Sequence, residues 1–82
     1  MSGLRVVMLG RLAVCAGWRE RDVPATGSVS ELIGALSLAD PELGATLSAP
    51  GVRVAVNQTI LPGDTSLRAG DEVAFLPIYS GG

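Results

Sequence analysis

The stretch Gly70-Asp-Glu-Val-Ala-Phe-Leu-Pro-Ile-Tyr-Ser-Gly-Gly82 contains both features around which the chain is organised. Gly70-Asp71 reads as a turn. Glu72 to Leu76 alternates as a strand, with Val73 and Phe75 on one face and Ala74 and Leu76 on the other. Such a strand, apolar on both faces, belongs inside a sheet rather than at its edge. The strand-like run breaks at Pro77. Ile78 to Gly82 has no charged side chain and narrows to two glycines. That composition predicts a folded domain over residues 1–77 and a flexible tail over 78–82.

Working outward, Leu4 to Leu9 is the natural central partner of that strand, since it too is apolar on both faces: Leu4, Val6 and Met8 on one, Val7 and Leu9 on the other. Arg11 to Gly17 reads as a connection rich in small residues. Trp18 to Val23 reads as a charged edge strand, the composition that discourages pairing with other chains. Ser28-Val-Ser-Glu31 forms a capping box. Val29, Leu32, Ile33 and Leu36 then give one apolar helical stripe, with Gly34 off it. The helix should fade over Leu38 to Asp40, before Pro41. A second helical turn over Pro41–Leu47 can start on that proline. Val52 to Val56 alternates with Val52, Val54 and Val56 inward, Asn57-Gln58 turns the chain, and Thr59 to Leu61 returns briefly.

Strand, strand, helix, strand, short strand, strand is the order of an α+β, β-grasp (ubiquitin-like) roll. It predicts a mixed sheet of four to five strands with one main helix packed on one face. The opposite face, carrying Val7, Leu9, Ala74 and Leu76, is then free to dock a partner.

Composition narrows the chemistry. The chain has 82 residues, 48% apolar content and a net charge of -2, which suits one small globular domain. Six scattered arginines and no lysine make no basic stripe for nucleic acid or an anionic membrane. The sequence lacks a signal-peptide pattern and any apolar run of transmembrane length, so the expected location is the cytoplasm. With no histidine and one cysteine, the usual catalytic dyads and triads are missing, and a zinc or iron–sulfur site is not expected. Cys15 is expected as a small buried or half-buried hydrophobe. The Gly82 carboxylate is the remaining group of interest. Gly81-Gly82, lacking Cβ atoms, could thread a narrow channel in a partner that activates it.

Three segments carry a family resemblance: Val54-Ala-Val-Asn-Gln-Thr59, Gly70 to Pro77, and Ser80-Gly-Gly82. They closely resemble the ubiquitin-like sulfur carriers of the MoaD/ThiS family, nearest to the small subunit of molybdopterin synthase. Two departures stand out. Leu9 to Val14 replaces an aromatic-Ala-x-x-Arg-Glu-like segment, and Ile78-Tyr79 replaces a Pro-Val-like pair. The resemblance implies that an E1-like enzyme, using ATP, adenylates Gly82. A sulfur donor protein then converts the adenylate to a thiocarboxylate. It further implies insertion of the tail into the large synthase subunit, within a heterotetramer, to deliver sulfur in molybdenum cofactor biosynthesis. Gly81 and Gly82 would be the reactive end, and Val7, Leu9, Ala74, Leu76, Pro77, Tyr79 and Ser80 the partner-binding residues. The chain itself would hold no stable cofactor or metal and would not be an enzyme alone. Alternatives are a carrier for thiazole, cysteine or a secondary metabolite, a ubiquitin-like protein modifier, and a non-covalent β-grasp module with an inert tail.

Overall fold

A computed structural model describes residues 3–61 and 63–77. In chain order the elements are β1 (Gly3–Met8), α1 (Arg11–Ala16), β2 (Glu20–Pro24), α2 (Val29–Ala39), α3 (Pro41–Leu47), β3 (Val52–Val56), β4 (Thr59–Leu61) and β5 (Glu72–Pro77). They form one five-stranded sheet in the order β2-β1-β5-β3-β4. The first and last strands pair in parallel at its centre, with Val6 opposite Val73 and Met8 opposite Phe75. All other pairings are antiparallel. The mixed β-grasp sheet expected from the element order is therefore the one observed.

One face of the sheet builds the core. Leu4, Val6 and Met8 of β1 and Val73 and Phe75 of β5 are buried, and Val52, Val54 and Val56 of β3 pack against them. Leu12 of α1, Val29, Leu32 and Leu36 of α2, and Leu43 and Leu47 of α3 close over that face. Leu67, isolated in the sequence, is also buried there. The Ser28 hydroxyl caps α2 by accepting from the Glu31 amide at 3.2 Å. The Glu31 carboxylate reaches back one residue further than a standard capping box, accepting from the Gly27 amide at 2.8 Å. Asp64 completes this helix start by accepting from the Ser30 amide and hydroxyl at 2.9 and 2.8 Å.

Several expectations are corrected. Arg11 to Gly17 is not a plain connection: Arg11–Ala16 is a helix, entered at Gly10 (φ 56°) and stopped by a left-handed Gly17 (φ 84°). Six residues are too few to hold a helix alone in water. This one forms because Leu12, Ala13 and Ala16 lie on one side and pack on the core. Cys15 faces away from that side and is exposed, not buried. The edge strand begins at Glu20 instead of Trp18, whose ring packs on the core and lies 4.6 Å beneath the Arg21 guanidinium. β5 continues through Pro77, which sits opposite Val52.

Candidate functional site

Helices cover one sheet face only, so the other is open. Strand alternation places on it the residues between the buried ones, and register lines them up across the sheet. Val7 lies beside Ala74, Ala74 beside Ala55, and Ala55 beside Ile60. These four make an apolar row across β1, β5, β3 and β4. Val7 and Ala74 are half-buried. Ala55 is 6% exposed with no helix over it, because its neighbours in the row shield so small a side chain. Ile60, at the edge, is 56% exposed.

Charges border the row on one side. Arg5 lies between Asp22 and Glu72 in register and donates to the Glu20 carboxylate at 2.7 Å. Both partners of that ion pair are about half exposed, so it contributes little to stability. On the other side Leu76, half-buried, pairs with exposed Arg53, and Leu9, 38% exposed, follows β1. The Leu9 amide still donates to the Phe75 carbonyl at 3.0 Å, continuing the β1–β5 ladder.

Of the sequence-predicted residues, the structure brings Val7, Ala74 and Leu76 onto the open face, with Leu9 beyond the end of β1. Pro77 ends the central strand between two fixed neighbours. Val52 is its partner on one side, and on the other a Cβ added at Gly10 would lie 3.2 Å from Pro77 Cγ. Tyr79, Ser80, Gly81 and Gly82 lie outside the described residues. Sequence reasoning missed Ala55 and Ile60. The alternation of β3 put Ala55 on the outward face, but only the hairpin register shows Ile60 directly beside it.

Among the described residues two carboxylates have altered acidity, and neither lies on this face. Asp64 is held below the ordinary aspartate range by the Ser30 hydroxyl and then the Ser30 amide. Asp71 is lowered by the Arg68 amide and then the Asn57 side chain. Both serve turns and a helix start. Among the described residues no cluster of His, Cys, Asp and Glu could hold a metal ion, and no helix is long and apolar enough to cross a membrane. The face so described is an open apolar row with charged borders, and β5 ends beside it at Pro77.

A family model described as the ThiS family matches residues 6–82. Small archaeal modifier protein 1 from Haloferax volcanii has a similar solved structure, with TM-score 0.81 and 27% identity, covering 99% of this chain and 100% of that one. The protein of that name from Methanosarcina acetivorans gives TM-score 0.83 at 22% identity, covering 100% of this chain and 98% of that one. A Pyrococcus furiosus protein, provisionally named molybdopterin converting factor, subunit 1, gives TM-score 0.76 at 22% identity, covering 94% and 98%. No curated protein matches the sequence.

Proposed function

Because the chain belongs to the ThiS family, whose model spans residues 6–82, we propose that it carries sulfur on Gly82 for molybdopterin synthesis. An E1-like partner joins the Gly82 carboxylate to the AMP moiety of ATP, releasing pyrophosphate. Sulfide from a donor protein displaces AMP, leaving a C-terminal thiocarboxylate. Acting as the small subunit of molybdopterin synthase, the chain then threads this tail into a large subunit, where sulfur passes to a pterin precursor. The catalytic groups and the ATP site belong to those partners, so the chain is a non-catalytic carrier with no resident cofactor.

The observation carrying this reading is the family match running through Gly81-Gly82, together with the open apolar row that a partner can cover. The physical division of labour follows. Gly81 and Gly82 need no side-chain room in a channel. The row Val7–Ala74–Ala55–Ile60 and flanking Leu76 supply apolar area, while Arg5, Glu20, Asp22 and Arg53 set register by charge.

The test is intact mass after incubation with an E1-like enzyme, ATP and a sulfide source. A gain equal to sulfur replacing oxygen, localised to Gly82, is expected. An unchanged mass while the partner consumes ATP would reject the carrier role.

A second reading, a ubiquitin-like modifier, is favoured by the two similar structures named small archaeal modifier protein 1. Isopeptide adducts joining Gly82 to lysines of other proteins in cell extract would select it. A free thiocarboxylate without adducts would select the carrier.

A further inference from the structure

Away from the open face, an apolar groove of about 210 Å³ runs between β2 and α2. Val23 lies on its strand side, and Leu32, Ala35, Leu36 and Ala39 form its helix side, where the short alanine side chains leave it open. Leu38, beside Ala35 on the helix surface, is 89% exposed and prolongs that wall. Arg21 stands at the end nearest the start of β2, its guanidinium 4.6 Å from the centre of the Trp18 ring. Among the described residues Arg21 makes no salt bridge, and no carboxylate lines the groove. We propose that this groove and the free edge of β2 bind an extended segment of a partner protein, which adds a strand to the sheet. One aliphatic side chain of that segment fills the groove, and an acidic one, two residues away, meets Arg21.

Three observations choose this occupant. The first is in the main chain. The Met8 amide donates to the Arg19 carbonyl at 2.8 Å, so antiparallel alternation turns the main-chain groups of Arg19, Arg21 and Val23 toward β1 and those of Glu20 and Asp22 outward. These outward amides and carbonyls are what an added strand pairs with, and Pro24, lacking an amide, ends their row. The second is size. Pockets that bury a drug-sized ligand run to about 300–1,000 Å³, so this one suits a single aliphatic side chain anchored by a longer chain. The third is charge complementarity. Strand alternation puts Arg21 and Val23 on the helix side of β2, and Glu20 and Asp22 on the open side. Arg5 answers Glu20 at 2.7 Å, whereas Arg21 is left for an incoming carboxylate. The segment therefore needs an acid and an aliphatic residue on its helix side, with no acid between them. A second copy has the wrong pattern, because two β2 edges centred on Glu20, Arg21 or Asp22 bring like charges together. A segment bound on the helix side also leaves the open face free for another partner.

The probe is the end-capped peptide Lys-Asp-Thr-Ile-Thr-Asp-Lys, which presents this pattern read in either direction. Its control, Asp-Lys-Thr-Ile-Thr-Lys-Asp, has the same composition with the charges exchanged. Each is titrated into the full chain and followed by amide chemical shifts. The first should bind about tenfold more tightly than the control, with the largest shifts over Arg19 to Val23 and Ala35 to Ala39. Arg21→Gln should weaken it about fivefold, as should molar salt, which shortens the Debye length to about 3 Å. Ala35→Glu, at an exposed helical position, sets a carboxylate in the groove without touching the core and should abolish binding. Equal affinity for the two peptides, no shifts with either, or full binding by Ala35→Glu would overturn the proposal. Octanoate, an apolar anion without main-chain amides, should not displace the peptide. Displacement would mark a site for small amphiphiles in place of strand addition, and would overturn it equally. None of these measurements needs ATP, sulfide or Gly82, so they can fail while thiocarboxylation succeeds, and the reverse.

Discussion

At position 44 only a hydrogen fits. Gly44 is buried where α3 crosses α2, and an added Cβ would overlap the Ser37 side chain and approach its Cα at 2.9 Å. Gly34, on exposed α2 surface, has nothing within 4 Å of the same added atom. One substitution therefore has opposite signs at two helical sites. Gly34→Ala should stabilise by about 0.5–1 kcal/mol through helix propensity. Gly44→Ala should destabilise by about 1–2 kcal/mol, because parting two packed helices outweighs the same propensity gain. Urea unfolding of both variants decides the matter, and a stabilised Gly44→Ala would show that the helices separate freely. The two lowered aspartates make a second prediction at this scale. Because folding depresses their pKa values, they contribute stability above the unfolded value, and that contribution is lost as pH falls through the folded one. Below about pH 4 the native chain should therefore weaken, and Asp64→Asn with Asp71→Asn should flatten that decline. An acid-unfolding curve of the double variant parallel to wild type would dismiss these groups as its source.

Among the elements, β2 shows how charge guards an edge. Two copies pairing antiparallel through this strand about a two-fold axis must place some residue opposite itself. Centring on Arg21 sets Arg21 against Arg21 and Glu20 against Asp22. Centring on Glu20 sets Arg19 against Arg21, and centring on Asp22 sets that carboxylate against its copy. Each of these three registers opposes like charges, which destabilises the pair. Glu20→Thr with Asp22→Thr opens the register centred on position 22. Sedimentation should then reveal self-association that the native edge does not support, and an unaltered profile would show that some other feature protects this edge. The helices differ in how plainly they can be read. The stripe Val29, Leu32, Ile33 and Leu36 behind a serine cap is a local signal of three turns, and α2 is found where it points. α1 is a single stretch of six residues whose helicity comes from the core beneath Leu12, Ala13 and Ala16. Its bracketing glycines were the available signal, but glycines also punctuate plain turns. Leu12→Ala should cost about 2–5 kcal/mol by urea unfolding, a large share for so small a helix.

For the molecule as a whole, the decisive fact is a sheet covered on one side only. Leu76→Glu and Ile60→Glu place charge on the open face without touching the core. If that face docks the proposed partner, each should weaken the complex at least tenfold by calorimetry and leave the unfolding free energy from urea titration within about 0.5 kcal/mol of wild type. Binding as tight as wild type in both variants would move the docking surface elsewhere. Strand periods, the capped helix, the turn residues and the order of elements are encoded within a few residues of one another. From the sequence alone they determined a β-grasp roll with its first and last strands at the centre. Other features depend on partners far apart in the chain. Register alone aligned Val7, Ala74, Ala55 and Ile60 into one row, helix crossing alone excluded a side chain at Gly44, and core contact alone turned Arg11–Ala16 into a helix that exposes Cys15. A local pattern states which way a side chain faces. Only the packed structure decides what lies beside it.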